Sequence, residues 1–123
     1  MTTERRKYIR INKILVISYQ VVKTLMRPGA MSRDISKGGI RLVLSQNLNC
    51  GDVLDIEIFI TEGEPPMKAL GVVVWIKVRE SRQDPFEVGI EFTKIDSLDR
   101  LRLYNYLRKE YNKHKTGKID WLG

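Results

Sequence analysis

From Ile14 to Phe92 apolar residues recur at every second position between short turns. That period excludes a helical bundle, because alternate residues of an extended chain point to opposite faces and a half-buried strand needs such a pattern. Leu15, Ile17, Tyr19 and Val21 alternate with Val16, Ser18 and Gln20, and Ile40, Leu42 and Leu44 alternate with Arg41 and Val43. Leu54, Ile56, Ile58 and Ile60 form one face opposite Asp55 and Glu57. In the next run Leu70, Val72, Val74, Ile76 and Val78 are expected to face the core, opposite Gly71, Val73, Trp75 and Lys77. In the last, Phe86, Val88, Ile90 and Phe92 face inward and Glu87, Glu91 and Thr93 outward. Turn chemistry separates the runs at Arg27-Pro28-Gly29, Asn49-Cys50-Gly51-Asp52, Glu62-Gly63-Glu64-Pro65-Pro66 and Gln83-Asp84-Pro85. Five or six strands at this spacing predict an antiparallel sheet closed into a small barrel.

The chain continues as a helix, with Asp96 as its cap, Asp99 at the positive end of its dipole, and Leu98, Leu101, Tyr104, Leu107 and Tyr111 at helical spacing. The expected organisation is a flexible N-terminal arm over 1–12, a barrel over 13–95, a helix over 96–114 and a tail over 115–123. At 123 residues this is one domain, large enough for a core without cross-links. Cys50 has no second cysteine to pair with, and His114 is the sole histidine, so no Cys/His set has zinc spacing. No apolar run reaches bilayer length and Met1-Thr2-Thr3-Glu4-Arg5-Arg6 opens no signal-peptide core, so the expected compartment is the cytoplasm.

The net charge of +7 is concentrated at the ends. Residues 1–10 carry +3 and residues 108–118 carry +4, while 11–107 carry only +1 and Asp120 takes one back. Arg108, Lys109, Lys113 and Lys115 lie near the negative end of the helix dipole, which gives them a structural reason. The arginines of Arg5-Arg6-Lys7-Tyr8-Ile9-Arg10 have only Glu4 as a neighbouring carboxylate. Guanidinium groups grip phosphate bidentately, stack on bases and pair with the O6/N7 edge of guanine, and Arg6 and Arg10 are spaced to converge on one small ligand. A second cluster, Ser32-Arg33-Asp34-Ile35-Ser36-Lys37-Gly38-Gly39, separates two strands. Its glycines permit positive φ and an anion-binding nest, and Asp34 and Ser36 fall on the same side of an extended segment. A carboxylate there can accept from guanine N1–H and N2–H; a plain hairpin with an Asx-type turn is the competing reading.

Arg6-Lys7-Tyr8-Ile9-Arg10 is RxxxR and Asp34-Ile35-Ser36-Lys37-Gly38-Gly39 is [D/N]xSxxG; in this order the pair resembles the PilZ domain family. Gly38-Gly39-Ile40-Arg41-Leu42, Gly71-Val72-Val73-Val74-Trp75 and Val88-Gly89-Ile90-Glu91-Phe92 extend the resemblance over about residues 4–110. It implies a mainly β fold, a six-stranded antiparallel split-type barrel with a C-terminal helix, and a bacterial receptor for cyclic di-GMP. Arg6 and Arg10 would then bind guanine and phosphate with Arg5 auxiliary, Asp34 and Ser36 would hold a guanine edge, and Gly38 and Gly39 would form the turn, Gly39 giving close backbone approach. Binding is expected to fold the arm over the barrel and to create a surface for a protein partner in motility, exopolysaccharide or biofilm control, with a ligand-linked homodimer as one outcome. Output through another molecule or self-association is expected, since no second domain is evident, and neither a metal nor a further cofactor is called for. A nucleotide-independent interaction adaptor and a basic RNA-binding barrel are the competing classes. Catalysis is the weakest, because Ser36 has no nearby histidine and Asp55, Glu57, Glu87 and Glu91 read as solvated strand faces. Trp75 is expected to pack beneath the helix rather than flank the ligand.

Overall fold

The computed structural model describes residues 10–24 and 26–115, the last two as backbone alone. Its elements are β1 (Val16–Val21), β2 (Gly29–Ile35), β3 (Gly39–Leu44), β4 (Val53–Phe59), β5 (Met67–Val78), β6 (Phe86–Ile95) and α1 (Ser97–Lys115). The strands close into an antiparallel barrel in the order β1-β2-β3-β6-β5-β4, β4 pairing back onto β1. The mainly β fold with one C-terminal helix therefore matches expectation. Ile17, Tyr19, Ile40, Leu42, Leu54, Ile56 and Ile58 fill the interior on the predicted faces.

On β5 the predicted phase is reversed as far as Val73, and beyond the irregularity between Val73 and Trp75, Ile76 packs on the core as predicted. Met67, Ala69, Gly71 and Val73 face inward, whereas Val74 and Val78 are exposed. Both sides of this strand are apolar, so alternation alone cannot set the phase; pairing of Ala69 with Ile56 and Gly71 with Leu54, both core residues, does. Gly71 is required there, since a Cβ would press on the Ile90 side chain and sit 3.0 Å from the Glu91 carbonyl oxygen.

The helix turns inward a face that only partly overlaps the predicted stripe, Leu107 and Tyr111 packing on the core as expected. Leu103 and Leu107 join the core, while Leu98, Leu101 and Tyr104 are exposed. Asp96 caps it as predicted, its carboxylate accepting from Leu98 N–H and its carbonyl from Arg100 N–H. Asp99 accepts from Lys68 N–H and pairs with Arg102, and Arg102 also donates to the Pro65 carbonyl, so α1 is bolted across the barrel end that carries the β2–β3 and β4–β5 turns.

Ile11, assigned by sequence to the arm, is instead a core residue bridged to Ile35 by two backbone hydrogen bonds of 2.9 and 3.0 Å. Ser32 extends this docking: its buried hydroxyl accepts from Leu15 N–H at 2.8 Å and donates to the Lys13 carbonyl at 2.6 Å. Residues 1–9, including Arg5 and Arg6, lie outside the described residues.

Ser32→Ala leaves the Leu15 amide unpaired in the interior and is expected to cost about 1–3 kcal/mol, measured by urea denaturation. Burial pushes the Tyr19 phenol up to about 12, and burial with the Glu110 charge does the same to Tyr106. Both phenols resist ionisation only when folded, so their contribution is complete below about pH 10 and is lost as pH rises through 12. The urea midpoint should fall between pH 9.5 and about 12, and fall less in a Tyr19→Phe, Tyr106→Phe chain.

Candidate functional site

Two β-bulges aim the residues that matter. On β2, Ser32 pairs with Leu42 and Asp34 with Arg41, leaving Arg33 as the extra residue. Ser32 therefore shares the inner face with Leu42, whereas Asp34 shares the outer face with Arg41, which stands between the core residues Ile40 and Leu42. On β5, Val73 pairs with Ile90 and Trp75 with Gly89, leaving Val74 extra. Because Arg41 also pairs with Gly89, one row runs across four strands on the outside of the barrel: Asp34, Arg41, Gly89, Trp75.

The row is charged at one end and aromatic at the other. The Asp34 side chain is only 2% exposed, and both oxygens are occupied. Oδ1 accepts from Arg10 Nη1 at 2.8 Å, and Oδ2 pairs with Arg41 Nη2 at 2.6 Å. Arg41 Nη1 then reaches Glu87 Oε2 at 3.0 Å. Glu87, predicted to be solvated, is thus buried: it stands one strand over from Arg41 on the same outer face and is covered by the ion pair it makes. Arg10 is brought to Asp34 by the adjacent Ile11–Ile35 bridge. The Nε donors of both Arg10 and Arg41 are buried without a hydrogen-bond partner, so each guanidinium keeps bonding capacity beside the site.

The β2–β3 turn closes the charged end. Ser36 N–H donates to the Gly39 carbonyl and Gly38 N–H to Ser36 Oγ, so the serine hydroxyl is engaged in the turn while still lining the cleft. The expectation of positive φ at the glycine pair is corrected: among the described residues only Gly51 and Gly63 have it. Gly39 is needed for proximity instead, because a Cβ would collide with the Ile90 carbonyl oxygen of β6. Lys37, at the tip, lies over the Tyr104 ring at 5.2 Å and joins this turn to α1.

Arg10, Ser36, Gly38, Gly39, Arg41, Val74, Trp75, Gly89 and Glu91 enclose an open cleft of about 280 Å³. Trp75 forms its far wall, 39% exposed, and does not pack beneath the helix. The β5 bulge carries it onto the outer face instead. A larger cleft of about 380 Å³ lies between Thr61, Glu64 and α1, but its Arg102 is already spent on Asp99, Glu64 and a carbonyl, and no motif residue reaches it. Among the described residues no group of His, Cys, Asp and Glu has the makings of a metal site, and no helix is long and apolar enough to cross a membrane.

Of the sequence-predicted site, Arg10, Asp34, Ser36, Gly38 and Gly39 converge here. The PilZ domain family model matches residues 4–109. This chain belongs to the PilZ domain family. Among solved structures it is similar to the Bacillus subtilis inhibitor of motility MotI/DgrA, at 27% identity and a TM-score of 0.71 over 89% of this chain and 52% of that one. It is similar in fold to the PilZ domain of Escherichia coli YcgR with c-di-GMP, at 15% identity and a TM-score of 0.66, covering 90% and 98% of the two chains. The same holds for the K. pneumonia MrkH–c-di-GMP complex, at 16% identity and a TM-score of 0.74, covering 95% and 57%. The chain spans about half the length of MotI/DgrA. No curated protein matches it by sequence.

Sequence reasoning missed Arg41, Glu87 and Gly89. A lone mid-strand glycine between Val88 and Ile90 was the available signal, since such a glycine often marks a place where something packs closely on the backbone. Arg41→Ala would leave Asp34 with a single cation and Glu87 with none, at an expected cost of about 3 kcal/mol in urea denaturation. Arg10→Ala, which leaves the Arg41 pairings in place, should cost clearly less.

Proposed function

We propose that this chain is a receptor for cyclic di-GMP. The observation that carries the reading is the row itself: a carboxylate and two guanidinium groups at one end, an aromatic wall at the other, and backbone between them. A cyclic dinucleotide of guanine offers what each part takes. Its phosphates suit Arg10, with Arg5 and Arg6 from the adjoining segment; the guanine N1–H and N2–H edge suits Asp34; a purine face suits Trp75. Ser36, Gly38 and Gly39 shape the rim. At about 280 Å³ the cleft is at the small end of ligand sites, which run from roughly 300 to 1,000 Å³. PilZ neighbours solved with c-di-GMP support the same ligand.

Because the Asp34 side chain is only 2% exposed and Arg10 covers Oδ1, a guanine edge reaches it only when that guanidinium swings aside to phosphate, while Arg41 stays on Oδ2, anchored by Glu87. The exchange frees Arg10 beside the Ile11–Ile35 bridge, and the Lys37–Tyr104 contact joins the site turn to α1. The altered surface acts on a protein partner in the cytoplasm, in control of motility, exopolysaccharide or biofilm formation, the similarity to an inhibitor of motility favouring the first. One nucleotide or a stacked pair, and a monomer or ligand-linked dimer, are compatible with so open a cleft.

Calorimetric titration with cyclic di-GMP is expected to give a Kd near micromolar or tighter, about −8 kcal/mol. Arg6→Ala, Arg10→Ala and Asp34→Ala should each weaken it tenfold or more, since each removes a charged hydrogen bond of about 1.5–3 kcal/mol. Unchanged affinity in all three variants would contradict the site.

A further inference from the structure

Gly89 is the middle of the row, and the three atoms nearest to where its side chain would begin all belong to the Trp75 ring. A Cβ built on Gly89 falls inside the indole, against Nε1 and Cε2 and 2.8 Å from Cδ1. The ring therefore lies directly on the β6 backbone with its pyrrole side over the glycine, one face packed and the rest in the cleft, which leaves Trp75 39% exposed. Across the same glycine, on β3, stands Arg41. With strands about 4.8 Å apart, the backbones carrying the aromatic and the cation are separated by roughly 10 Å. A flat group laid against the indole thus points an edge towards Arg41 and Asp34.

We infer that Gly89 is a positioning residue of the ligand site: its missing side chain seats the Trp75 ring flat on β6 and so fixes the aromatic wall against which a purine stacks. This rests on the cyclic di-GMP reading above for the ligand, though not for the packing. Any side chain at this position drives the indole off its seat. The obstructing atoms belong to a half-exposed side chain rather than to backbone, so the ring can swing out to solvent with the barrel intact. Gly39 and Gly71 differ in this respect, since backbone oxygens stand close to the Cβ positions of both.

The test uses the full chain carrying Trp121→Phe, which leaves Trp75 as the single tryptophan. Gly89→Ala should keep the far-UV circular dichroism of the parent, shift Trp75 emission to the red, and raise acrylamide quenching at least twofold without any ligand. It should weaken cyclic di-GMP about tenfold. Trp75→Ala should weaken it to a similar degree, and adding Gly89→Ala to Trp75→Ala should cost nothing more, because the glycine acts only through the ring. Unchanged emission and quenching in Gly89→Ala, or the full tenfold loss repeated in the Trp75→Ala background, would overturn the inference. Should Gly89→Ala fail to fold, nuclear Overhauser contacts between the Trp75 indole Hε1 and the Gly89 α-protons in the parent decide the seat: their presence supports it and their absence overturns it. A parent chain that does not bind cyclic di-GMP overturns the ligand assignment, and the same contacts then still decide the packing.

Discussion

Burying a carboxylate without a partner is costly, and in this barrel Asp34, only 2% exposed, is paired with two guanidinium groups. Much of the local architecture follows from that requirement. Arg41 is held in turn by Glu87, which ties β2, β3 and β6 together through three side chains. Arg10 reaches Asp34 only because Ile11 is bridged to Ile35, so the ion pair and the burial of one isoleucine fix the path of the chain into the barrel. Ser32 reinforces that path by bonding both Lys13 and Leu15. A charge cluster of this kind adds little net stability compared with a well-packed apolar one. It does supply polar groups with fixed positions and unused donors, which suits binding better than folding.

The bulges explain how a barrel whose interior is filled with aliphatic side chains carries such a cluster on its wall. One extra residue at Arg33 separates Asp34 from the inward phase of Ser32, and one at Val74 brings Trp75 onto the row that Gly89 and Arg41 occupy. The wall is crowded enough to exclude side chains at two further places: Gly39 lies against the Ile90 carbonyl, and Gly89 lies under the indole. Helix α1 contributes at the end of the barrel rather than to the row, with Leu103 and Leu107 in the core and Tyr104 receiving Lys37 from the site turn.

How much of this was legible in the sequence depended on whether a residue's role is local. Alternation on β1, β3 and β4 set the inner faces correctly, because there polar residues interrupt the other face: Ser18 and Gln20, Arg41, and Asp55 and Glu57. On β5 both faces are apolar, and a phase that depends on β4 as its partner could not be taken from the strand alone. On α1 the predicted stripe was right for Leu107 and Tyr111, which pack on the core, and wrong for Leu98, Leu101 and Tyr104, since the barrel end selects Leu103 in their place. The motif residues Arg10, Asp34, Ser36, Gly38 and Gly39 were visible by type and spacing. Arg41 and Glu87 were not: one stood inside an ordinary strand pattern and the other was taken for a solvated acid, and only the cross-strand register makes them partners. Trp75 was placed on the face away from the core, but that it lines the cleft rather than packing under the helix follows only from the row it shares with Gly89 and Arg41.

The central claim is that the Asp34–Arg41–Gly89–Trp75 row is where cyclic di-GMP binds and that Arg10 leaves Asp34 when it does. A titration of the ¹⁵N-labelled chain with cyclic di-GMP, followed by amide, indole and guanidinium resonances, tests both parts at once. The largest changes should fall on Gly38, Gly39 and Gly89, on the Trp75 indole N–H and on the Arg10 guanidinium, with the Arg41 side chain little altered. Changes centred on Thr61, Glu64 and Asn105, with the Arg10 and Trp75 side chains unmoved, would place the ligand in the other cleft and contradict the account.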